Sequence, residues 1–402
     1  MRKILWVGLA ASDHIYQELV KKGYFHFAAQ TAQRNLISGI EEVMDASVDM
    51  ISGFMMPTYP AIKELFTGPY AWDTEKGGKG RSVKNLNIRY LDAVYRTIQI
   101  KKACVAWAKQ RADDEVTVFV YSAVNAYLKG ALEIKKICKK AKIYLIITDL
   151  PQFMELRPSK LKKILKDMDW RSLNHSIHQC DGWIPFTKHM ISYLKLPQEK
   201  CLVVEGSVDV GNVQVVPIEE KSEKIIIMYS GSLGLQYGVP ELLQAFEGIT
   251  DDRYELWFTG KGNAEDLINA KAAADKRIRN FGFLPTRESL LDLQQKATML
   301  INTRMPTEKA SAYCFPSKIF EYMLSGKPVL SFRIDGIPDE YYSYLVEIEG
   351  VDPVYIRKAI QDVGSMPQSE RERLGTAGRA FIMNNKNNIS QAKRICEFTG
   401  LA

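Results

Sequence analysis

The sequence predicts an α/β protein built from two doubly wound, parallel-sheet domains, and three observations lead there. Its 402 residues exceed one average domain and suit two of about 200 each. Short β-branched apolar runs alternate along the chain with longer segments of helical periodicity, the signature of strand–helix–strand units. Two of those runs, at 3–8 and 224–229, each open into a glycine-bearing loop. The domains are expected at 1–200 and 201–385, joined by a Pro-, Gly- and Val-rich connection over 195–223 that includes a strand at Cys201–Glu205.

Composition narrows the class. Apolar content of 46% and charge of 25% are those of a soluble globular chain. No apolar run reaches the ~18 residues of a spanning helix. The short apolar core of MRKILWVGLAAS reads as a strand rather than a signal segment, because Asp13 and His14 follow directly. Six cysteines without CxxC spacing and five histidines without HExxH point to reduced thiols in cytoplasm and no zinc. Charge is uneven: residues 1–200 hold 31 Lys+Arg against 20 Asp+Glu, the remainder 23 against 27. A basic first half and mildly acidic second half suit different partners.

In the first half, Lys3–Gly8 reads as a central strand and Leu9–His14 as a tight loop. It is no dinucleotide fingerprint, since GxGxxG is absent. Phe25–Gln30 is expected as strand two and Gln33–Val43 as a helix, with Gly- and charge-rich 68–84 a mobile loop. A helix over 86–109, a strand at 116–121, a helix over 125–140 and a strand at 142–147 follow. Ligand sites in such sheets lie at the strand C-termini, so 8–14, 121–125 and 148–153 should face one crevice. Asp13, His14 and Asp149 are the crevice-facing acid/base candidates. Asp181–Phe186 reads as the last strand, Thr187–Leu194 as a helix.

The run 156–170, LRPSKLKKILKDMDW, places Leu161, Ile164, Leu165 and Met168 on one helical face flanked by Lys160, Lys162, Lys163 and Lys166. Such a basic amphipathic helix fits an anionic inner membrane surface, or a solvated helix packed on its own domain. Asp167-Met168-Asp169 matches the DxD metal pattern but lies on a lysine helix rather than after a strand, so no metal is expected.

The second half opens with a strand at 224–229, the loop Ser230-Gly231-Ser232-Leu233-Gly234 and a helix from Pro240, an arrangement able to cradle an anion. A strand at 254–259 ends at Gly260-Lys261-Gly262; Phe281-Gly282-Phe283-Leu284-Pro285 follows, and the run 299–304 leads into the next motif. Phe315-Pro316-Ser317-Lys318 then starts a helix of about ten residues, because proline suits a first turn and Gly326 and Pro328 end it. Exposed N–H groups, a hydroxyl and an ammonium at Ser317 and Lys318 make a phosphate site. Glu321, one turn further in, can accept two hydroxyl hydrogen bonds, such as those of a ribose.

FPSK-I-F-E-Y-x-x-S-G-K-P-V resembles the donor signature of GT-B nucleotide-sugar glycosyltransferases, most of all retaining family 4 of capsule and exopolysaccharide synthesis. The order of motifs from 225 to about 385 is similar to that family throughout. The resemblance implies two Rossmann-like domains facing a central cleft, with a final helix, 386–402, crossing back to the first. It implies a donor site of Gly231, Ser232, Gly260, Lys261, Phe283, Leu284, Arg304, Phe315, Ser317, Lys318 and Glu321. Two positions depart from it. Tyr237 stands where the family often has a phosphate-binding lysine, leaving Lys261 or Arg304 to supply the cation. Tyr313 stands where a glutamate should meet the donor sugar. The expected activity is sugar transfer, with retention and without metal or other cofactor, from a UDP-sugar to a lipid-linked or polysaccharide acceptor at the inner membrane face. No nucleic-acid partner is expected. An epimerase or phosphorylase on the same scaffold, or a catalytically silent nucleotide-binding subunit of a polysaccharide assembly complex, are the alternatives.

Overall fold

The computed structural model describes residues 2–150, 152, 160–209, 211, 223–284 and 286–402, with the side chains of 160–165 and 287 outside that description. The chain forms two compact units: Met1–Ser207 with Asn388–Ala402, and Val208–Asn387. The borders read from sequence, after 200 and after 385, fall a few residues short of both breaks.

The first unit begins with β1 (Arg2–Gly8), α1 (Asp13–Lys21), α2 (Phe27–Met44) and β2 (Val48–Ser52). Two corrections arise here. Phe25–Gln30 is not a strand: its alternating aromatics mimic period two, but Ala28, Ala29 and Gln30 continue into Gln33 as one helix, and Phe25 and Phe27 are exposed. The strand paired with β1 is β2, in register from Ile4 with Val48 to Gly8 with Ser52. Residues 68–84 are also not simply a loop. After β3 (Phe66–Thr67), β4 (Ala71–Asp73) and β5 (Lys79–Ser82) form a hairpin closed by paired bonds between Thr74 and Gly78, and β5 extends the sheet beside β2. The short β6 (Asn85–Leu86) pairs with β3 and leads into α3 (Leu91–Lys109).

Next come β7 (Glu115–Tyr121), α4 (Asn125–Ile137), β8 (Lys142–Ile147), α5 (Lys160–Ile177), β9 (Gly182–Pro185) and α6 (Lys188–Leu194). Strand order is β4-β5-β2-β1-β7-β8-β9, parallel except at β4. β8 shows why: of KIYLII only Lys142 is exposed, the continuous apolar run of a strand covered on both faces. The strand expected at Cys201–Glu205 is an extended run, bridged to Trp183 at Cys201, with Leu202 and Val204 donating to Trp183 and Pro185 carbonyls. Residues 210 and 212–222 of the connection read at 195–223 lie outside the described residues.

The second unit runs β10 (Ile225–Ser232), α7 (Val239–Glu247), β11 (Tyr254–Lys261), α8 (Glu265–Ala274), β12 (Ile278–Asn280), α9 (Arg287–Lys296), β13 (Met299–Asn302), α10 (Lys318–Leu324), β14 (Val329–Phe332), β15 (Val346–Ile348), α11 (Pro353–Ser365) and α12 (Gln368–Asn385). Its six strands, all parallel, are ordered β12-β11-β10-β13-β14-β15. β10 is the central strand, with Ile226, Ile227, Met228 and Tyr229 buried at ~1.5–3 kcal/mol apiece. Helix starts follow local chemistry: Thr286 caps α9 by accepting from Ser289 N at 3.2 Å, and Asp352 caps α11 by accepting from Val354 N at 2.9 Å. The last helix, α13 (Asn388–Thr399), belongs to the first unit, where it packs on α2 and Gln391 donates to the Gly206 carbonyl at 3.2 Å.

Candidate functional site

In the second unit the strand order reverses between β10 and β13, so the loops leaving their C-terminal ends diverge and open a crevice. Gly231 and Ser232 form the C-terminal end of β10, where the sequence reading had a loop; the segment after β13 carries Arg304 through Ser317. Glycine is demanded at two facing positions. Gly231 (φ 111°) and Gly260 (φ 139°) pair across β10 and β11, and a Cβ on Gly260 would lie 1.7 Å from the Gly231 carbonyl oxygen. Ser232 and Lys261, the next pair in register, are exposed.

Lys318 reaches into this cradle from α10. Its Nζ lies 3.7 Å from the centroid of the Tyr229 ring and 3.9 Å from where a Gly231 Cβ would be. The position is held from both sides. Tyr229 donates to the Ser232 carbonyl at 2.9 Å, while the Tyr322 hydroxyl accepts from Ser230 N at 2.8 Å and donates to its carbonyl at 2.9 Å. The tyrosines thus lock α10 to the end of β10. Burial pushes the Lys318 ammonium down to about 7 from 10.5, and the Arg304 guanidinium lowers it further; the Glu321 carboxylate acts in the opposite sense.

Arg304 is half-buried, with Nε donating to Ser311 Oγ at 3.2 Å and its guanidinium 5.8 Å from the Tyr237 ring centroid. Tyr237 thus occupies the place of the expected lysine while an arginine from the segment after β13 lies over its ring. Lys261 lies 5.2 Å from the exposed Phe283 ring, and Gly260 N and Thr259 Oγ1 both donate to the Gly282 carbonyl, at 2.9 and 2.6 Å. Leu284 is partly buried against the unit's core. The structure thus gathers Gly231, Ser232, Gly260, Lys261, Arg304, Lys318 and Glu321 at the ends of three adjacent strands.

Two details differ from the sequence reading. The helix at 318–324 has seven residues rather than about ten, because Ser325 and Gly326 already turn away. Phe315 is a core residue, 4.9 Å from Phe320 and 5.4 Å from Tyr341 between ring centroids, so it can face a ligand only through its backbone. Pro285 lies outside the described residues. Ser317 is exposed at the start of α10, and Tyr313 is half-buried in a 3-10 turn over Lys309–Tyr313. Tyr229 and Tyr322 escape sequence reasoning because they look like ordinary core aromatics.

In the first unit Asp13 and His14 form the first turn of α1 rather than a loop; both are exposed, and Asp13 pairs with Arg34. Asp149 is half-buried near Tyr121, whose hydroxyl burial, and after it the Asp149 charge, holds protonated. Asp169 of the DxD triplet accepts from Asn125 Nδ2 at 2.6 Å, which makes it a tie between helices. Of the basic run 156–170, residues 156–159 and the side chains of Lys160, Lys162 and Lys163 lie outside the described residues; Lys166 is half-buried. Among the described residues no cluster of three His, Cys, Asp or Glu could hold a metal, and no helix is long and apolar enough to cross a membrane.

Residues 224–362 match the family model of glycosyl transferases group 1. The chain is 24% identical over 179 residues to the probable glycosyltransferase WbjE of Pseudomonas aeruginosa, a match spanning 42% of either chain, and so well under half that relative's length. Among solved structures it is similar to the lipopolysaccharide outer core galactosyltransferase WaaB (14% identity, TM-score 0.65, 100% of this chain and 99% of that one). It is also similar to HepE of Anabaena in complex with UDP (11%, TM-score 0.64, 100% of both). A third is the sucrose-phosphate synthase of Thermosynechococcus elongatus (13%, TM-score 0.64, 100% and 99%). At such identities the likeness is one of fold, and the fold is the α/β, parallel-sheet fold of GT-B glycosyltransferases.

Proposed function

We propose that this chain transfers a sugar from a nucleotide diphosphate donor, a UDP-sugar first among them, to a lipid-linked or other membrane-associated glycan acceptor in polysaccharide synthesis. One observation carries the reading: a two-glycine cradle at the sheet's switch point with a partly discharged lysine, Lys318, beside it and a second cation, Arg304, adjacent. Two phosphates departing together carry off negative charge, and concentrated positive charge in a site poor in water is the strongest help a protein can give that step. Ser317 and Ser232 would add hydroxyl donors and Glu321 would hold the ribose. The match of 224–362 to group 1 glycosyl transferases supports the class, and the UDP complex of a fold neighbour supports the donor.

The transfer retains configuration and uses no metal in this reading, the acceptor oxygen attacking C1 from the side on which the C1–O bond to diphosphate breaks. An inverting enzyme would instead need a base, for which Asp13, His14 and Asp149 are the candidates. The tyrosines at 237 and 313 favour a second reading, a nucleotide-binding subunit without turnover. A thermal-shift titration with UDP, GDP and ADP on wild type and Glu321→Ala separates these when paired with product analysis. Ligand at about 100 times its dissociation constant adds ~2.7 kcal/mol, a clear rise in midpoint. UDP should stabilise wild type and much less the variant. UDP binding without turnover on any UDP-sugar supports the silent subunit, and no response to any nucleotide overturns the donor site.

A further inference from the structure

The first unit exposes a group of large apolar side chains on one surface: Leu65, Phe66, Tyr90, Leu91, Val94 and Ile98. They form one continuous patch. β3 pairs with β6 at Phe66 and Leu86, Asn87 N donates to the Leu65 carbonyl at 2.8 Å, and the Tyr95 ring on α3 lies 6.2 Å from Phe66. Leu91, Val94 and Ile98 follow one another at helical spacing on the solvent side of α3, whose other face buries Arg96, Ile100, Cys104 and Trp107. Tyr90 is held at φ 67°, a conformation uncommon for a non-glycine residue, with its ring exposed. Apolar patches of this kind on a folded chain mark an interaction surface.

The charges around it say which kind. Lys63, Lys84, Arg89 and Lys102 are exposed at its rim, and two of them already cover its rings, Lys84 at 4.1 Å from the Phe66 centroid and Arg89 at 5.1 Å from that of Tyr90. Of the acids on these elements, Asp92 faces Arg96 at 3.6 Å, and Glu64 is exposed. Lys101 faces Glu133 of α4 at 3.2 Å. A second copy of this chain would bring the same cations against themselves. An anionic bilayer supplies what both halves of the patch require: acyl chains for the aromatics and leucines, lipid phosphates for the rim.

We propose that the outer face of α3, with the β3–β6 strand pair, docks the chain on an anionic lipid surface. The inference rests on the lipid-linked acceptor of the proposed function but not on its donor chemistry. The test is flotation of the full chain with vesicles of phosphatidylglycerol and phosphatidylcholine, and with phosphatidylcholine alone. Wild type should float only with the anionic vesicles. Val94→Asp/Ile98→Asp should lose about tenfold or more of that binding, and Lys84→Glu/Arg89→Glu a comparable amount. Both should keep the wild-type thermal midpoint and UDP response, which shows that they fold. Loss confined to a Lys160, Lys162, Lys163 and Lys166→Glu variant would overturn the proposal in favour of the basic helix. So would binding equal on neutral vesicles, or a wild-type dimer that Val94→Asp/Ile98→Asp dissociates. Vesicle binding without any UDP response would sink the donor reading and leave this one standing.

Discussion

The two units are built on one plan, yet the loops at their switch points do opposite things. In the first unit the loop after β1 is filled from within: Gln33 Oε1 accepts from Leu9 N and Trp6 Nε1, each at 3.0 Å, and Gln30 both accepts from Ala11 N at 3.1 Å and donates to the Ala11 carbonyl. A neutral amide side chain has taken the place that an anion could occupy. In the second unit the equivalent strand end is glycine and serine, and the group beside it is the Lys318 ammonium. A parallel sheet with a reversal in strand order supplies a crevice; a few side chains decide whether it is an anion site or a closed platform.

The largest expected effect is at Gly260. Alanine there must either strain the backbone or push Gly231 aside, so Gly260→Ala should cost roughly 3 kcal/mol or more in stability and abolish UDP binding, read by thermal melting and titration calorimetry. A melt like wild type's would mean that the cradle is softer than its geometry.

Next is Lys318→Met, for which two effects of opposite sign are expected. UDP affinity should fall about 10- to 100-fold, the loss of one charge-assisted contact. The free protein should melt higher, because a poorly solvated amine is replaced by an apolar chain of similar length. The sign with pH follows. The folded pKa is about 7 and the unfolded one 10.5, so between them the unfolded chain holds more protons and this group's contribution to stability rises with pH. Diphosphate binding restores the proton, so UDP affinity should fall above pH 7, by up to about tenfold per unit, and the slope should vanish in Lys318→Met. A pH-independent wild-type affinity between 7 and 9 would refute this role.

The smallest effect is in the first unit. Gln33→Leu leaves the Leu9 amide and Trp6 indole without their acceptor and should cost ~1–3 kcal/mol by denaturant melting, with UDP affinity unchanged. Altered UDP affinity would mean that the two loops are not independent.

Most strands and helices were legible because their causes are local. β8 coincides with its apolar run, Pro240 marks a helix start, and the glycines at 231 and 260 announce backbone that no other residue adopts cheaply. The failures are where partners distant in sequence outvoted a local pattern. Phe25–Gln30 alternates like a strand, but Gln30 and Gln33 are needed on one helical face to bond the loop after β1. Residues 68–84 look like solvent-loving loop until the edge of β2 offers their backbone a partner.

The same division runs through the candidate site. That Lys318 and the glycine at 231 suit an anion, and Glu321 the hydroxyls of a ribose, could be read from residue chemistry and spacing along the chain. That Lys318 is partly discharged, that Arg304 stands over Tyr237, and that Tyr322 bolts α10 to β10 follow from packing, which brings together residues up to 92 positions apart. Propensity, charge and glycine's freedom are properties of short stretches and can be read in order. Desolvation and proximity depend on what the rest of the chain places alongside, and so they arise only on folding.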